Sequence, residues 1–566
     1  MSENFDLLRE QHRFHHGRLK VLMTIIIFFY IALLLRLAKV SLYDHDFWLS
    51  KRQRRFENIQ FQTSPRKIIL DKNNFVLATN LKSYSVGWQP QSYERLEEHD
   101  KNTLSEITNI PLNELDDRLQ TDKKFLYLKR KIALTETEIL TLKKIPGVVL
   151  AKEDKRFYPL EEMTSQLLGF TNIDNQGVEG IEANFNYLLA PLLIKQKKIV
   201  DAKGHTFSMD ISEHHPQSLK ISIDSRFQAI LFKALEHQIT IHPASSYSAV
   251  LLDTKKGSLA GVVSYPSFNP NKSFEYASSC RLKPFLDLYE PGSVIKPFSV
   301  ACVLDAAPNS LDDFHIKTAP GYLMLDHHKI VDVAKREELD LKDILLYSSN
   351  IGLTRLLHAY PECQLQQFLM RFGVNQLSGF EYSQEASPNY PQRIKKGSFV
   401  EATLGFGYGL QMNLVQLARA YSVFANNGEL IPITLLDGKT YSGEQVISSD
   451  LAAQMRSILA EVVQHGSARG AYHPKYPLGG KTGTAQKVGD HGYEQRYNSF
   501  FACFFPVQNP RYVLVLHADE PTNLIYGGQI CAPLAKKIIP QILGVSEHPS
   551  FSSFKESIEL QDSTQY

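Results

Sequence analysis

An apolar run close to the N-terminus dominates the hydrophobicity pattern of the chain. Residues 21–35 are all apolar except Thr24, and the apolar character continues to residue 42. The run reaches the roughly 20 residues that a helix needs to cross a bilayer. Arg36 stands where the small-residue cleavage site of a signal peptide would lie. We therefore predict an uncleaved transmembrane anchor at residues 21–42.

The charges on the two sides of the anchor do not fix its orientation. Basic residues precede it at Arg9, Arg13, Arg18 and Lys20, and others follow it at Lys51, Arg52, Arg54 and Arg55. The local count of basic residues therefore does not favour the N-terminal side being inside. Long domains cross a membrane largely regardless of charge. We expect residues 1–20 to be a cytoplasmic tail and the large remainder to lie outside the inner membrane.

The chain between the anchor and residue 216 is mixed and polar, and no cluster of catalytic side chains stands out in it. Residues 64–78 have the pattern of a strand, a turn and a strand, because the pair Asn73-Asn74 suits a hairpin turn. We predict that residues 43–216 form an elongated, mixed, non-catalytic module that acts as a pedestal or interaction surface.

Beyond residue 216 the periodicity becomes more regular. Alternation with period two predicts strands, and apolar residues at helical spacing predict helices. The predicted strands are 219–224, 248–253, 258–264, 498–505 and 511–517, and the predicted helices are 226–239, 414–426 and 534–542. Strands on both sides of a helical middle indicate an antiparallel sheet flanked by helices. We predict an α+β domain at residues 217–545 and a flexible tail at residues 546–566.

Composition and charge exclude some functions. The formal net charge is +2, and no basic stripe with interleaved aromatic residues is present, so we expect no nucleic-acid partner. The five cysteines are Cys280, Cys302, Cys363, Cys503 and Cys531. They are far apart and lack metal-ligand spacing, so we predict no metal site and no cofactor. Cys302 and Cys503 lie in apolar runs and are predicted to be small buried hydrophobic residues.

The candidate chemistry begins at Ser293. Pro291-Gly292 breaks the preceding chain, which favours a helix start at the serine, and Lys296 would then share its helical face. A desolvated lysine amine can accept the serine proton and activate the hydroxyl as a nucleophile. Ser-x-x-Lys alone is a weak signal, because it occurs by chance in chains of this length.

Two further motifs follow in order. Residues 348–350 are Ser-Ser-Asn, and residues 481–484 are Lys-Thr-Gly-Thr. Ser-x-x-Lys, Ser-x-Asn and Lys-Thr-Gly in this order are the signature of penicillin-binding proteins and class A β-lactamases. Because Lys-Thr-Gly-Thr is itself uncommon, the three motifs together are a specific signal.

The whole chain resembles a class B penicillin-binding protein, and most closely the division-specific peptidoglycan D,D-transpeptidases. Residues 156–159 (Arg-Phe-Tyr-Pro) and 177–182 (Gly-Val-Glu-Gly-Ile-Glu) resemble the non-catalytic module of that family. Residues 405–410 (Gly-Phe-Gly-Tyr-Gly-Leu) resemble its transpeptidase domain, and residues 498–501 (Asn-Ser-Phe-Phe) resemble the division branch. The resemblance therefore implies a transpeptidase of the septal wall.

The chain departs from the family pattern at a few non-catalytic positions. The family's Arg-Gly and Asp-Arg-Asn-Gly are replaced by Arg66-Lys67 and by Asp-Lys-Asn-Asn at residues 71–74, and Tyr347 stands where the family often has lysine. Residues 153–157 (Glu-Asp-Lys-Arg-Phe) look like the glutamate motif of murein glycosyltransferases. The chain does not continue with that motif's His-x-Gly, so we interpret the segment as structural.

The resemblance implies catalytic roles for five residues. Ser293 would attack the carbonyl between the last two D-alanines of a stem peptide, and Lys296 would be its base. Ser348 would pass a proton to the leaving amine with the help of the Lys481 ammonium. Asn350 would hold the peptide amide.

The resemblance also implies substrate contacts on the Lys-Thr-Gly-Thr segment. Thr482 and Thr484 would bind the substrate carboxylate, or that of a β-lactam, and the backbone N–H groups of Ser293 and Thr484 would form the oxyanion hole. Gly483 would allow close approach of the backbone to the ligand or to a neighbouring strand. The implied partners are peptidoglycan stem peptides or their lipid-linked precursor, the membrane, a division glycosyltransferase and other divisome proteins.

Other functions share parts of this signature. A β-lactamase would need a base for rapid water attack on the acyl-enzyme, and no matched base is visible in the sequence. A penicillin-sensing receptor would carry several spans and an intracellular effector domain. A scaffold without turnover would not need Ser293 or Lys481, which are both present. An elongation-specific class B transpeptidase is the nearest alternative.

Overall fold

The computed structural model describes residues 3–191, 193–200, 206–211, 218–272, 280–308, 314–379, 381–489 and 492–547. The chain divides into two compact units, one made of Met1–Pro65 and Pro191–Pro216, the other of Arg66–Ala190 and Gln217–Tyr566.

In chain order, the helices and strands before residue 217 are α1 (Glu3–Ala38), α2 (His45–Phe56), β1 (Glu57–Thr63), β2 (Ile69–Leu70), β3 (Val76–Trp88), α3 (Glu98–Thr108), α4 (Leu112–Leu119), β4 (Leu126–Ile132), α5 (Glu136–Leu142), β5 (Val148–Phe157), α6 (Ser165–Leu168), α7 (Gly180–Asn184), α8 (Asn186–Leu189), β6 (Leu193–Val200) and β7 (Thr206–Ile211).

The remaining elements belong to the second unit. They are β8 (Leu219–Lys220), α9 (Ser225–Ile241), β9 (Ser246–Asp253), β10 (Ser258–Tyr265), α10 (Lys283–Leu286), α11 (Lys296–Ala306), β11 (His315–Lys317), β12 (Tyr322–Leu325), β13 (His328–Val331), β14 (Glu338–Asp340), α12 (Leu341–Leu346), α13 (Asn350–Ala359), α14 (Leu365–Arg371), α15 (Phe399–Gly405), α16 (Leu414–Ala425), β15 (Glu429–Leu430), β16 (Glu444–Gln445), α17 (Ser449–His465), β17 (Gly479–Gly489), β18 (Gly492–Phe505), β19 (Tyr512–Asp519) and α18 (Gly527–Glu547).

The first unit contains the apolar N-terminal helix. Helix α1 continues into a short π-helical turn at Lys39–Tyr43, and the apolar segment Gly17–Tyr43 has a mean hydropathy of 2.5. Within the described part of the chain, it is the one helix long and apolar enough to cross a membrane. Strands β1, β6 and β7 form an antiparallel three-stranded sheet in the same unit.

In the second unit, strands β2, β3, β4 and β5 of residues 66–190 form a five-stranded sheet together with β8. The strand order is β4-β3-β2-β8, and β5 also pairs with β3. The predicted hairpin is present between β2 and β3. The Asp71 carboxylate accepts hydrogen bonds from the backbone N–H groups of Asn73 (2.7 Å) and Phe75 (2.8 Å), and Asn74 has a φ of 65°. An asparagine tolerates this left-handed backbone better than most residues, which explains why the pair suits the turn.

A buried ionic cluster joins distant segments of these residues 66–190. Glu182 accepts a hydrogen bond from the Nε of Arg66 (2.6 Å) and another from the Nε of Arg156 (2.7 Å), and all three side chains are buried. Arg156 lies on β5, within the segment that resembles a glycosyltransferase motif. Glu153 of that segment pairs with Arg130 at 3.1 Å. Glu153 and Arg156 of the segment are thus both engaged in ion pairs.

The catalytic-domain sheet has five antiparallel strands in the order β10-β9-β19-β18-β17. Every residue of β9 and β19 is buried, so both faces of the sheet are covered. Helices α9 and α18 pack against the sheet and against each other, and α16 packs against β9, β18 and β19. The α+β prediction is therefore confirmed, and strand β17 lies at an edge of the sheet.

Two predicted elements differ in length from those of the structure. The predicted strand at residues 219–224 is limited to β8, because the Asp224 side chain accepts from the backbone N–H of Arg226 and caps α9. The predicted helix at 534–542 extends over the whole of α18, which includes Pro533 and Pro540. The predicted tail lies almost entirely outside the described residues. The domain boundaries after residues 20, 42, 216 and 545 stay predictions.

Cys302 is buried, as predicted, but the prediction of a small hydrophobic side chain missed its covalent partner. Cys302 on α11 forms a disulfide bond with Cys363, which precedes α14, and their Cα atoms are 5.5 Å apart. The pairing depends on the packing of α11 against α14, which the spacing of the two cysteines does not reveal. Cys503 is a buried free cysteine, as predicted, and so are Cys280 and Cys531.

Replacing Glu182 by alanine should destabilise the second unit strongly. The variant leaves two buried guanidinium groups without their carboxylate, which costs on the order of 3–5 kcal/mol of unfolding free energy. Thermal or denaturant unfolding of the purified protein measures this loss. Glu106→Ala, which removes an exposed carboxylate, is the control and should stay within about 0.5 kcal/mol of wild type. Equal stability of the two variants would contradict the prediction.

Removing the disulfide should also lower stability. The bond closes a loop with a sequence separation of 61, and the chain-entropy relation assigns about 4 kcal/mol to a loop of this size. We expect Cys302→Ala/Cys363→Ala to unfold at a lower temperature than wild type. A reductant should lower the unfolding temperature of wild type and leave that of the double variant unchanged. If the reductant lowered the unfolding temperature of both proteins equally, its effect would not come from this disulfide bond.

Candidate active site

Ser293 lies in a tight helical turn, Gly292–Ile295, that leads directly into α11. Gly292 has a φ of 61°, and its backbone N–H donates to the carbonyl of Gly407 at 3.0 Å. The Ser293 side chain is half-buried, and no hydrogen bond joins its hydroxyl to another described residue. The hydroxyl is therefore available to react.

Lys296 is the first residue of α11 and is fully buried. Its Nζ donates to the backbone carbonyl of Ser348 at 2.5 Å and lies 3.2 Å from the Ser348 Oγ. Burial, together with the charge of Lys481, lowers the pKa of Lys296 well below its usual value. A lowered pKa favours the neutral amine, which is the form of lysine that can accept a proton.

Ser348 lies between two lysines. The Nζ of Lys481 is 3.0 Å from the Ser348 Oγ, so Lys296, Ser348 and Lys481 form a continuous hydrogen-bonded chain. Burial lowers the pKa of Lys481 to about 7. The structure thus brings together three residues that are 52 and 133 positions apart in the sequence.

The segment that carries Ser348 is held by Asp332, at the end of the hairpin formed by β12 and β13. Its carboxylate accepts hydrogen bonds from the Ser349 hydroxyl (2.5 Å) and from the backbone N–H groups of Asn350 (2.6 Å) and Ile351 (3.0 Å). The Ser349 hydroxyl in turn accepts from Gly352 and caps α13. These contacts fix the start of α13 directly beside Ser348.

Asn350 is the first residue of α13, two positions after Ser348. Its amide Nδ2 donates to the carbonyl of Val331 at 3.0 Å. This bond ties α13 to strand β13, and a role in holding the peptide amide stays a prediction.

Strand β17 carries residues 481–484 along the edge of the sheet. Thr482 and Thr484 are two positions apart and therefore point to the same side of the strand. Thr482 Oγ1 lies 3.2 Å from the Oγ of Ser467, and Thr484 Oγ1 accepts from the N–H of Gly527 at 3.2 Å. Their predicted contacts with a substrate carboxylate stay predictions.

Gly483 allows this strand to approach the Ser293 turn. A Cβ atom at this position would lie 2.8 Å from the carbonyl oxygen of Pro291 and 3.0 Å from the Cγ1 of Val294. Real Cβ atoms do not come so close to backbone oxygens, so a larger residue would push the strand away. The neighbour that requires the glycine is therefore the turn that carries Ser293.

The sequence reasoning missed three residues around the site. Asp332 and Ser467 lie in loops with no recognisable motif spacing. Glu290 accepts hydrogen bonds from the N–H of Gly409 (2.8 Å) and the hydroxyl of Tyr493 (3.3 Å), and burial raises its pKa. Its position three residues before Ser293 was the available signal. Across the described ranges, no group of three or more His, Cys, Asp or Glu residues could hold a metal ion.

Two family matches cover most of the chain. Residues 247–540 match the penicillin binding protein transpeptidase domain. Residues 61–217 match the penicillin-binding protein dimerisation domain. The first match contains every predicted site residue, and the second overlaps most of the region that we predicted to be non-catalytic.

Individual relatives agree with these matches. The chain is 34% identical to a probable peptidoglycan D,D-transpeptidase PbpC of Pseudomonas aeruginosa over 538 residues, which is 92% of this chain and 94% of that protein. It is 30% identical to the peptidoglycan D,D-transpeptidase FtsI of Escherichia coli K12 over 558 residues, 94% of this chain and 93% of that protein.

Solved structures share the fold. A peptidoglycan synthetase from Bifidobacterium adolescentis superposes with a TM-score of 0.66 at 19% identity, over 87% of this chain and 97% of that one. The transpeptidase domain of penicillin-binding protein 3 from Burkholderia pseudomallei has a TM-score of 0.52 at 30% identity, over 58% of this chain and 96% of that one. With these matches and the three ordered motifs, the chain belongs to the class B penicillin-binding proteins and is a peptidoglycan D,D-transpeptidase.

Proposed function

We propose that this transpeptidase works through an acyl-enzyme on Ser293 and that it cross-links septal peptidoglycan during cell division. The observation that carries the mechanism is the buried chain from Lys296 through Ser348 to Lys481. Ser293 lies in the turn that leads into Lys296, and its hydroxyl has no hydrogen bond to another described residue. This arrangement supplies a nucleophile, a neutral base and a path for protons in one place.

In the first half of the reaction, neutral Lys296 takes the proton of the Ser293 hydroxyl. The Ser293 oxygen attacks the carbonyl between the last two D-alanines, and the backbone N–H groups of Ser293 and Thr484 stabilise the negative oxygen that forms. Ser348 donates a proton to the departing amine and is resupplied by the adjacent lysines, so D-alanine leaves and an ester remains. Asn350 holds the amide of the bound peptide.

In the second half, an amine of a neighbouring stem peptide attacks the ester carbonyl. The Ser293 oxygen leaves and recovers a proton, and the new amide is the cross-link. A β-lactam enters the same site, because Thr482 and Thr484 bind its carboxylate as they bind that of the stem peptide. Its ring opens on Ser293 and blocks turnover.

The septal role and the partners rest on similarity. Relatives at about 30% identity over most of the chain are named FtsI, and the sequence carries features of the division branch. We infer that the helix α1 anchors the protein once in the inner membrane, with the catalytic domain outside. The Cys302–Cys363 disulfide supports this orientation, because disulfides persist outside the reducing cytoplasm. The anchor and residues 43–216 would contact a division glycosyltransferase and other divisome proteins.

A fluorescent penicillin should label the full-length protein at Ser293. We expect Ser293→Ala and Lys296→Ala to abolish labelling, because they remove the nucleophile and its base, and mass spectrometry of the labelled peptide should locate the adduct. Ser457→Ala and Lys256→Ala are matched controls at exposed positions and should label normally.

The lifetime of the adduct separates the possible functions. A label that persists for hours supports a transpeptidase, whereas one that is lost within seconds would indicate a β-lactamase. If a folded wild-type protein took up no label, the acyl-enzyme proposal would be refuted. That result would indicate a scaffold without turnover.

Acylation should also depend on pH in a defined direction. The pKa of Lys481 is about 7, so its ammonium is present below that pH and is lost as the pH rises through it. Because the acylation rate of the free enzyme requires this charge beside neutral Lys296, the rate should fall on the alkaline side. The second-order rate of labelling across roughly pH 5 to 10 measures this profile.

A charge-retaining variant tests the assignment of the alkaline limb. In Lys481→Arg the guanidinium stays protonated throughout this range, so the variant should be slower but should lose the alkaline fall. An identical alkaline limb in both proteins would assign the titration to another group.

A further inference from the structure

Helix α2 follows the apolar anchor almost without a break. The apolar segment ends at Tyr43, and α2 begins at His45 after the single residue Asp44, whose backbone N–H donates to the carbonyl of Lys39 at 2.8 Å. The start of α2 therefore lies where the anchor would leave the hydrocarbon core of a bilayer. None of the three sequence motifs includes this helix, and the mechanism above assigns it no step.

Two aromatic side chains near the start of α2 are exposed. Phe47 is 58% exposed and Trp48 is 43% exposed, and their rings meet edge to face with centroids 5.4 Å apart. The Nζ of Lys51 lies 5.5 Å from the centroid of Phe47 and 5.1 Å from that of Trp48. These contacts gather an ammonium and two rings into one cluster. Tryptophan is enriched at membrane–water interfaces, because its ring is largely apolar and also carries an N–H donor.

The other basic residues of α2 occupy positions on the same side of the helix as this cluster. At about 100° per residue, positions 47, 48, 51, 52, 54 and 55 fall within an arc of about 160°. In order, these positions hold Phe, Trp, Lys, Arg, Arg and Arg. The opposite arc holds the one acidic residue of the helix, Asp46, together with Leu49, Ser50, Gln53 and Phe56. The helix therefore places its aromatic cluster and its basic positions on one side.

The location of these positive charges is unfavourable for the proposed orientation of the anchor. Basic residues close to a span favour the cytoplasmic side, yet the four basic residues of α2 would lie outside. Anionic groups on the outer side would offset this bias by attracting the charges. Phe47 comes only four positions after Tyr43, so the phosphates of the surrounding lipids are the nearest candidates. The basic side of α2 would thus continue the lipid-facing surface of the anchor.

We propose that α2 lies in the outer interface of the inner membrane and binds anionic phospholipids through its basic and aromatic side. The inference rests on the proposed anchoring of α1, with the catalytic domain outside. The rings of Phe47 and Trp48 enter the boundary between head groups and acyl chains, while the positive charges of the helix attract the lipid phosphates. The helix thereby holds the start of β1, which follows directly at Glu57, near the membrane surface.

The two tryptophans of the chain allow lipid contact at α2 to be measured directly. Trp88 is fully buried, and its Nε1 donates to the carbonyl of Leu119 at 3.0 Å, so it supplies an unquenched background. Full-length protein is reconstituted into vesicles of equal parts phosphatidylcholine and phosphatidylglycerol. In one sample the neutral lipid carries bromine on its acyl chains, and in the other the anionic lipid does. Both samples have the same surface charge, so a difference in quenching reports which lipid surrounds Trp48.

We expect the tryptophan fluorescence to be quenched more strongly when phosphatidylglycerol carries the bromine. Expressed as a ratio of association constants, the preference for the anionic lipid should be roughly fivefold or more at low ionic strength. It should shrink as salt is added, because salt screens the attraction. Trp48→Phe should remove the lipid-dependent quenching, which assigns the signal to α2.

A charge-removing variant and a matched control complete the test. The combined variant Lys51→Gln/Arg52→Gln/Arg54→Gln/Arg55→Gln should reduce the preference to less than about twofold. The control Arg9→Gln/Arg13→Gln/Arg18→Gln/Lys20→Gln removes as many charges on the other side of the span and should leave the preference unchanged.

Three results would overturn the inference. One is equal quenching by the two lipids, and another is a preference that survives the loss of the four charges of α2. The third is an absence of quenching by either lipid, which would place α2 away from the bilayer, as expected if a protein partner covered it. A protein that did not float with the vesicles would refute the proposed anchor as well, whereas labelling of Ser293 by penicillin tests the catalytic part of the proposed function independently.

Discussion

Two buried lysines that share one serine hydroxyl are the constraint on which the site depends. The Nζ atoms of Lys296 and Lys481 lie 3.2 and 3.0 Å from the Oγ of Ser348, and both lysines are fully buried. Desolvation disfavours each charge, and the charge on Lys481 further disfavours one on Lys296. Both effects disfavour a state in which the two lysines are protonated together. One neutral lysine and one charged lysine are what a base and an electrostatic stabiliser require.

The backbone around Ser293 is also constrained by close packing. A Cβ at Gly407 would lie 2.0 Å from the carbonyl oxygen of Gly292, and one at Gly483 would lie 2.8 Å from that of Pro291. The segments that contain Gly292, Gly407 and Gly483 therefore pack closely against one another. Ser293 lies in the first of these segments. This packing sets the position of strand β17 relative to the serine turn. The geometry of an oxyanion hole is sensitive to such positions, because its donors must be in place before charge develops.

Sequence reasoning identified candidate site residues where a local motif coincides with a chemical requirement. Ser293, Lys296, Ser348 and Lys481 each stand in a motif whose spacing has a chemical reason. The structure joins Lys296, Ser348 and Lys481 by hydrogen bonds, and Ser293 lies in the turn that leads into Lys296. Asp332 and Ser467 could not be found in this way, because each acts on residues to which it is joined only by the fold. The pairing of Cys302 with Cys363 was invisible for the same reason, since five widely spaced cysteines permit many pairings.

The organisation of the chain shows a second limit of sequence patterns. The side chain of Asp71, in the hairpin of the region predicted to be non-catalytic, accepts hydrogen bonds from the backbone N–H (3.1 Å) and the hydroxyl (2.7 Å) of Ser225. Ser225 begins α9, which packs on the catalytic sheet, and β2 pairs in parallel with β8 next to it. Residues 66–190 therefore share one compact unit with the transpeptidase domain. The change of periodicity near residue 216 predicts where the catalytic domain begins, but strand pairing and helix capping across that point decide which segments form one unit.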